Sequence, residues 1–197
     1  MDELQDSRFL GVANEITIIT PIKQGRIPGS SVTFKDKLAG VLSSIYRREL
    51  SGIPTPIRLI DTIHFARWII WNDGDTDQLI FTSNYDGSMW QYLRDFSNLI
   101  ADDLDRVWSN CVGYPQGGCH DFDAFWQYVL EHQVETSAFY AAMPTQSLIN
   151  RQSLQTFKRN FDVFLSQQWD CLKAEASDRD AFVSAFKQFV LDNQSYL

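Results

Sequence analysis

Between Asp61 and Phe96 the chain passes from one β-branched and aromatic run through a Gly/Asp-rich turn into a second, and from there straight into a helix. The first run is Ile63-His64-Phe65-Ala66-Arg67-Trp68-Ile69-Ile70-Trp71, the turn is Asn72-Asp73-Gly74-Asp75-Thr76-Asp77, and the second run spans Leu79 to Tyr85. Two such runs around a polar, glycine-containing turn predict an antiparallel hairpin, here with a loop longer than the two-residue ideal. Asp86-Gly87 turns the chain, and Ser88 with Gln91 three residues on matches a capping box. Behind it Met89, Tyr92, Leu93, Phe96, Leu99, Ile100, Leu104 and Val107 recur at three and four, which predicts one helix running to about Trp108. Asp102, Asp103 and Asp105 fall off that stripe and are expected on a solvated face. A hairpin feeding an amphipathic helix buries both apolar surfaces by laying the helix on one face of the sheet.

The remaining segments extend this unit. Residues 1–13 are expected to be a loosely fixed leader, followed by a short strand, Glu15 to Thr20, that Pro21 stops. Gln24 to Ser31 is a loop, and Phe34, Leu38, Val41, Leu42 and Ile45 stripe a helix over about Thr33–Glu49. Gly52, Pro54 and Pro56 end it, because a residue ahead of proline disfavours the helical region. A glycine-rich loop spans Asn110 to His120, and Asp121 or Asp123 caps a shorter helix through His132. Ser137 to Met143 is expected as a last strand closed by Pro144, with two helices beyond, Thr145–Gln168 and Asp178–Asn193. The order β-α-β-β-α-β over residues 14–144 is that of a ferredoxin-like α+β unit, with residues 145–197 as C-terminal helices packed on the same domain. Such a unit leaves one sheet face to be covered by a second subunit, by the terminal helices or by a ligand. Sheet-to-sheet pairing of two copies would give the dimeric α+β barrel, so a homodimer is expected.

Charge and cysteine usage exclude several function classes. A net charge of −8 leaves no basic stripe for nucleic acid and no electrostatic hold on an anionic membrane. Three cysteines, Cys111, Cys119 and Cys171, with no repeated spacing, do not make a disulfide framework and fit a reducing compartment. The acidic N-terminus has no apolar signal region, and no apolar run reaches the roughly 20 residues of a membrane span, so a cytoplasmic protein is expected.

Ile63-His64-Phe65-Ala66-Arg67-Trp68 and Asn84-Tyr85-Asp86-Gly87-Ser88 resemble a motif pair in a group of largely uncharacterised bacterial ferredoxin-like proteins, and Phe139 to Pro144 resembles a later strand of that group. The same kind of strand pair is similar to that of dye-decolourising peroxidases and other ferredoxin-like haem proteins. The resemblance covers about residues 14–165 and implies the ferredoxin-like fold, with haem as the implied cofactor. Asp86-Gly87 lacks the preceding glycine of the peroxidase haem signature.

The residues able to carry chemistry are few. His64, Arg67, Asn84 and Asp86 lie on the two hairpin strands; a histidine beside an arginine or carboxylate can move protons, and an arginine can hold an anion. The structural alternative has Arg67 paired with Asp86 or capping carbonyls, His64 satisfied at a strand edge, and Asn84 supporting the turn. His132 lies on an apolar helix stripe, either as a haem ligand or as a core residue with one hydrogen bond. Trp68 and Trp71 would line an aromatic pocket or belong to the core or an interface. Cys111, Cys119, His120, Asp121 and Asp123 share one loop but lack the close cysteine pair of a zinc site, so no metal is expected. No nucleophile elbow, P-loop or dinucleotide fingerprint is present. The leading expectation is a module binding a small apolar or aromatic ligand or a protein partner on its sheet. The alternative is a haem-dependent or cofactor-free peroxidase- or oxygenase-like enzyme using a pocket on the sheet.

Overall fold

The computed structural model describes residues 13–143, 145–173 and 179–196. It is a mixed α+β architecture that divides into two compact units, residues 1–145 and 146–197. The expected leader lies outside the described residues apart from Ala13, as do Pro144 and Asp178.

The first unit is built on three antiparallel strands, β1 (Ala13–Pro21), β2 (Ile63–Asn72) and β3 (Asp77–Asp86), in the order β1-β3-β2. β1 and β2 are both antiparallel to β3 and are joined by α1 (Phe34–Leu50). Thr33 begins that helix by accepting the Asp36 amide N–H on its side chain. At its far end Arg58 donates to Glu49 Oε2 over 2.7 Å and the Thr55 hydroxyl donates to Oε1, pinning the chain that returns to β2. These two bonds, Arg58's first, hold the Glu49 carboxyl down at about 2 rather than its ordinary 4.5. A carboxylate whose pKa is depressed on folding adds stability that is complete above the unfolded value and lost as pH falls through the folded one. Urea midpoints are therefore expected to drop between about pH 4.5 and pH 2, with Glu49→Gln flattening that limb; an unchanged acid limb in the variant would contradict the assignment.

The hairpin turn is set by Asp73, whose carboxylate accepts the Thr76 N–H at 2.7 Å and the Asp75 N–H at 2.9 Å, while Gly74 takes φ +106°. The register then sends odd residues of β3 and even residues of β1 and β2 to the same face. Ile18, Phe81 and Trp68 face one another across the three strands there, as do Thr20, Leu79 and Ile70. That inner face carries the core. Phe81 is wholly buried, with its ring centroid 5.2 Å from those of Trp68 and Trp108 and 6.4 Å from that of Phe96.

After β3, Ser88 caps α2 (Met89–Leu99) by accepting the Gln91 N–H. The single helix expected to Trp108 is two: the backbone breaks at Ile100, and α3 covers Ala101–Trp108. The break has a packing cause. Leu99, placed on the stripe by periodicity, is 48% exposed, while the turn at Ile100 brings Ile100, Ala101, Leu104, Val107 and Trp108 into the core. It also puts Asp102 and Asp103 in the first turn of α3, where the helix dipole favours them. Asp121 then caps α4 (Phe122–His132).

The fourth strand does not form. The described residues 137–143 belong to no strand of the sheet, and after α4 the chain meets β1 at the Ile18–Gln133 bridge and at the Val134 N–H bond to Thr17 O. The segment contains Ala138, Ala141 and Ala142 and has no alternating apolar face, with Tyr140 86% exposed; nothing in it rewards pairing. The β-α-β-β-α portion of the expected order is present and its closing strand is not.

The second unit is a helical hairpin of α5 (Leu148–Lys173) and α6 (Arg179–Asp192). Phe157 meets Phe189 and Phe164 meets Phe182, so the helices run antiparallel, with Phe161 and Phe186 between them. No helix among the described residues is long and apolar enough to cross a membrane.

Candidate functional site

The hairpin brings His64 and Asp86 together. Ile63 pairs with Tyr85 and Phe65 with Asn84, so β2 carries one extra residue, His64, at a β-bulge. A bulged residue escapes strict alternation and its side chain is re-aimed. Here the imidazole turns to the end of β3, where Nε2–H donates to Asp86 Oδ1 over 2.7 Å, both side chains being only 8% exposed. The corner is tied down by its backbone: Asp86 N–H donates to Thr62 O, and Asn14 Nδ2–H donates to Gly87 O. One structural expectation pairs Asp86 with Arg67. The bulge gives that carboxylate His64 instead, and leaves Arg67 exposed opposite Thr82.

The other expected site residues separate by strand parity. Arg67 and Asn84 share the outer face of the sheet, away from the core, whereas Trp68 is on the inner face against Phe81. His132 closes α4, donating from Nδ1 to Tyr128 O over 2.9 Å, with its ring 4.3 Å from that of Tyr128. None of its hydrogen-bond or ring partners is His64, Arg67, Asn84 or Asp86. The set His64, Arg67, Asn84, Asp86, Trp68 and His132 thus resolves into a buried pair, two outer-face groups, one core indole and one helix cap.

A polar cluster that periodicity did not single out lies between α3 and the glycine-rich loop. Asp105 Oδ1 accepts the Tyr114 O–H at 2.5 Å and the Cys119 N–H at 2.9 Å, and Tyr114 Oη is 2.9 Å from Cys119 Sγ. Asp105 is therefore no simple member of a solvated acidic face; its partners come from a loop nine to fourteen residues on, which helical periodicity does not see. The one signal in the sequence is Gly118, whose φ of +62° and missing Cβ admit the carboxylate. Burial pushes the Cys119 thiol up and the Cys111 thiol up to about 11. Both are thiols at neutral pH and neither is poised as a nucleophile or metal ligand. Asp102, Asp105 and His120 bring one ligand atom each within 4.8 Å of one another, but Asp102 and His120 are exposed and Asp105 Oδ1 is already occupied.

The outer face of the sheet has a different character. Glu15, Thr17, Ile19 and Pro21 of β1, Gln78, Ile80, Thr82 and Asn84 of β3, and Phe65, Arg67, Ile69 and Trp71 of β2 lie in register across it. On β2 the apolar residues of this face are open to solvent: Phe65 is 69% exposed, Trp71 51% and Ile69 42%. An edge strand presenting alternate aromatic and branched side chains to water is a recognition surface or an aggregation liability. No family model, curated protein or solved structure matches the chain.

Proposed function

We propose that the first unit is a binding module, not a strong catalyst, that docks through the outer face of its sheet onto a second copy of this chain, sheet to sheet as in a dimeric α+β barrel. The observation that carries the proposal is the exposed strip Phe65, Ile69 and Trp71, in register with Ile80 and Ile19 on the neighbouring strands. The open strip on β2 continues into half-buried Ile80 and Ile19, with Arg67 and threonines between and Glu15 buried at the β1 end, and such a row can meet its own copy across a two-fold axis. The paucity of converging polar groups supports binding over catalysis, because the six candidate residues do not share one cavity.

The test is proximity. Thr82 lies at the middle of the central strand on this face, and Lys37 lies exposed on α1. With Cys171 replaced by serine, a short bis-maleimide is expected to join two chains carrying Thr82→Cys and to leave chains carrying Lys37→Cys unjoined. Equal joining of both variants, or of neither, would overturn the docking face.

A second reading rests on the bulge. His64 and Asp86 form a buried pair of the kind used for proton transfer, and bulges are over-represented beside active sites. On this reading the sheet end supports oxidoreductase chemistry with haem or without a cofactor. A haemin titration showing a sharp Soret band, lost in His64→Ala or His132→Ala, would favour it over the binding module. A free-haemin spectrum in all variants would remove its haem form.

A further inference from the structure

On the helical side of the same unit, away from the proposed docking face, a small cleft opens between α1, the turn 55–57, Trp68 of β2 and α3. Its walls are apolar, chiefly Val41, Ile45, Ile57, Ile100, Leu104 and Val107, and its volume is about 40 Å³. Two arginines, Arg48 and Arg106, belong to its lining together with one acidic residue, Asp103. This surplus of positive charge is a local exception on a chain of net charge −8. Both arginines are held in place without being used up. Arg48 donates one Nη2–H to Pro54 O at 3.0 Å, and Arg106 donates from Nη1 to Asp103 at 3.3 Å, which leaves most of their five donors apiece for something else. Trp68 belongs to the same lining, which makes its indole, whose N–H is buried and has no acceptor, a reporter beside the cleft.

From these features we infer that the cleft binds a short-chain monocarboxylate, its alkyl chain on the isoleucine, leucine and valine walls and its carboxylate between Arg48 and Arg106. Size sets the chain length. A water needs about 10–15 Å³ of such space, so the cleft takes a tail of roughly three carbon atoms and no aromatic ring. Charge sets the head group, since guanidinium forks fit a planar carboxylate and a neutral alcohol of the same length gives them nothing to bind. The site does not depend on the docking proposal: its residues come from the core side of the sheet and from the helices covering it.

The experiment is a titration of the full ¹⁵N-labelled chain with sodium butyrate at constant ionic strength, followed by the indole N–H resonances. Trp68→Phe identifies the Trp68 signal. The expected result is a saturable shift of that signal, with a Kd on the order of 1 mM for so small a ligand. Arg106→Gln and Arg48→Gln, both exposed changes that leave the core intact, are each expected to weaken it about tenfold, the loss of one charge-assisted hydrogen bond. Butan-1-ol is expected to produce no matching saturation. A non-saturating drift, an equal response to chloride, or unaltered affinity in both arginine variants would overturn the assignment.

Discussion

Gly118→Ala is expected to destabilise the first unit by about 3–5 kcal/mol, among the largest losses available from a single methyl group in this chain. Two costs combine. The residue holds φ +62°, which an L side chain adopts only with strain. A Cβ there would also lie 2.2 Å from Asp105 Oδ2 and 2.6 Å from Oδ1, so the carboxylate would have to leave. Its departure strips the Cys119 N–H of its acceptor and leaves the Tyr114 O–H only the weakly accepting Cys119 Sγ, and an orphaned buried donor costs roughly 1–3 kcal/mol. The mechanism predicts strong non-additivity. In the background of Asp105→Ala, where nothing remains to be displaced, the same glycine change is expected to cost only about 1 kcal/mol, the conformational part. Denaturant titrations of the four proteins measure the coupling, and additive losses would show that the carboxylate is not what occupies the glycine's open side.

Placing a lysine on the outer sheet face is expected to weaken self-association by at least about 100-fold, or 3 kcal/mol, because the charge must be desolvated against an apolar copy of itself. Phe65→Lys and Trp71→Lys are the two positions of choice, being 69% and 51% exposed in the single chain. That exposure makes the experiment discriminating. Neither side chain is part of the core, so denaturant midpoints at protein concentrations below the dimer dissociation constant are expected to stay within about 0.5 kcal/mol of the parent. Sedimentation equilibrium separates the cases. Loss of association with preserved stability is the predicted pattern, and undiminished association in both variants would remove the face from the interface.

How much of this was legible in the residues follows from which signals are local. The hairpin, the Ser88 cap and the Thr33–Glu49 helix are encoded within a few positions of themselves and appear where the patterns put them. The break at Ile100 escaped because a 3.6-residue stripe continues through it; only the demand of the core for Ile100 and Ala101 rather than Leu99 decides the matter. The strand expected over Ser137–Met143 failed for the converse reason. Its apolar content suggested pairing, but its alanines offer no alternate face to bury. In the candidate site, His64 and Asp86 were both legible as individual residues, yet their pairing depends on a one-residue bulge that turn chemistry does not reveal. The Asp105–Tyr114–Cys119 cluster depends on a loop closing over a helix, a contact with no periodic trace.

The central claim is that the outer sheet face joins two copies of this chain, and the most direct measurement is the mass in solution. Light scattering on the purified full chain, over a concentration series, is expected to give twice the chain mass of 22.7 kDa, falling to the single-chain value in Phe65→Lys. A wild-type protein that scatters as 22.7 kDa at every concentration would contradict the account.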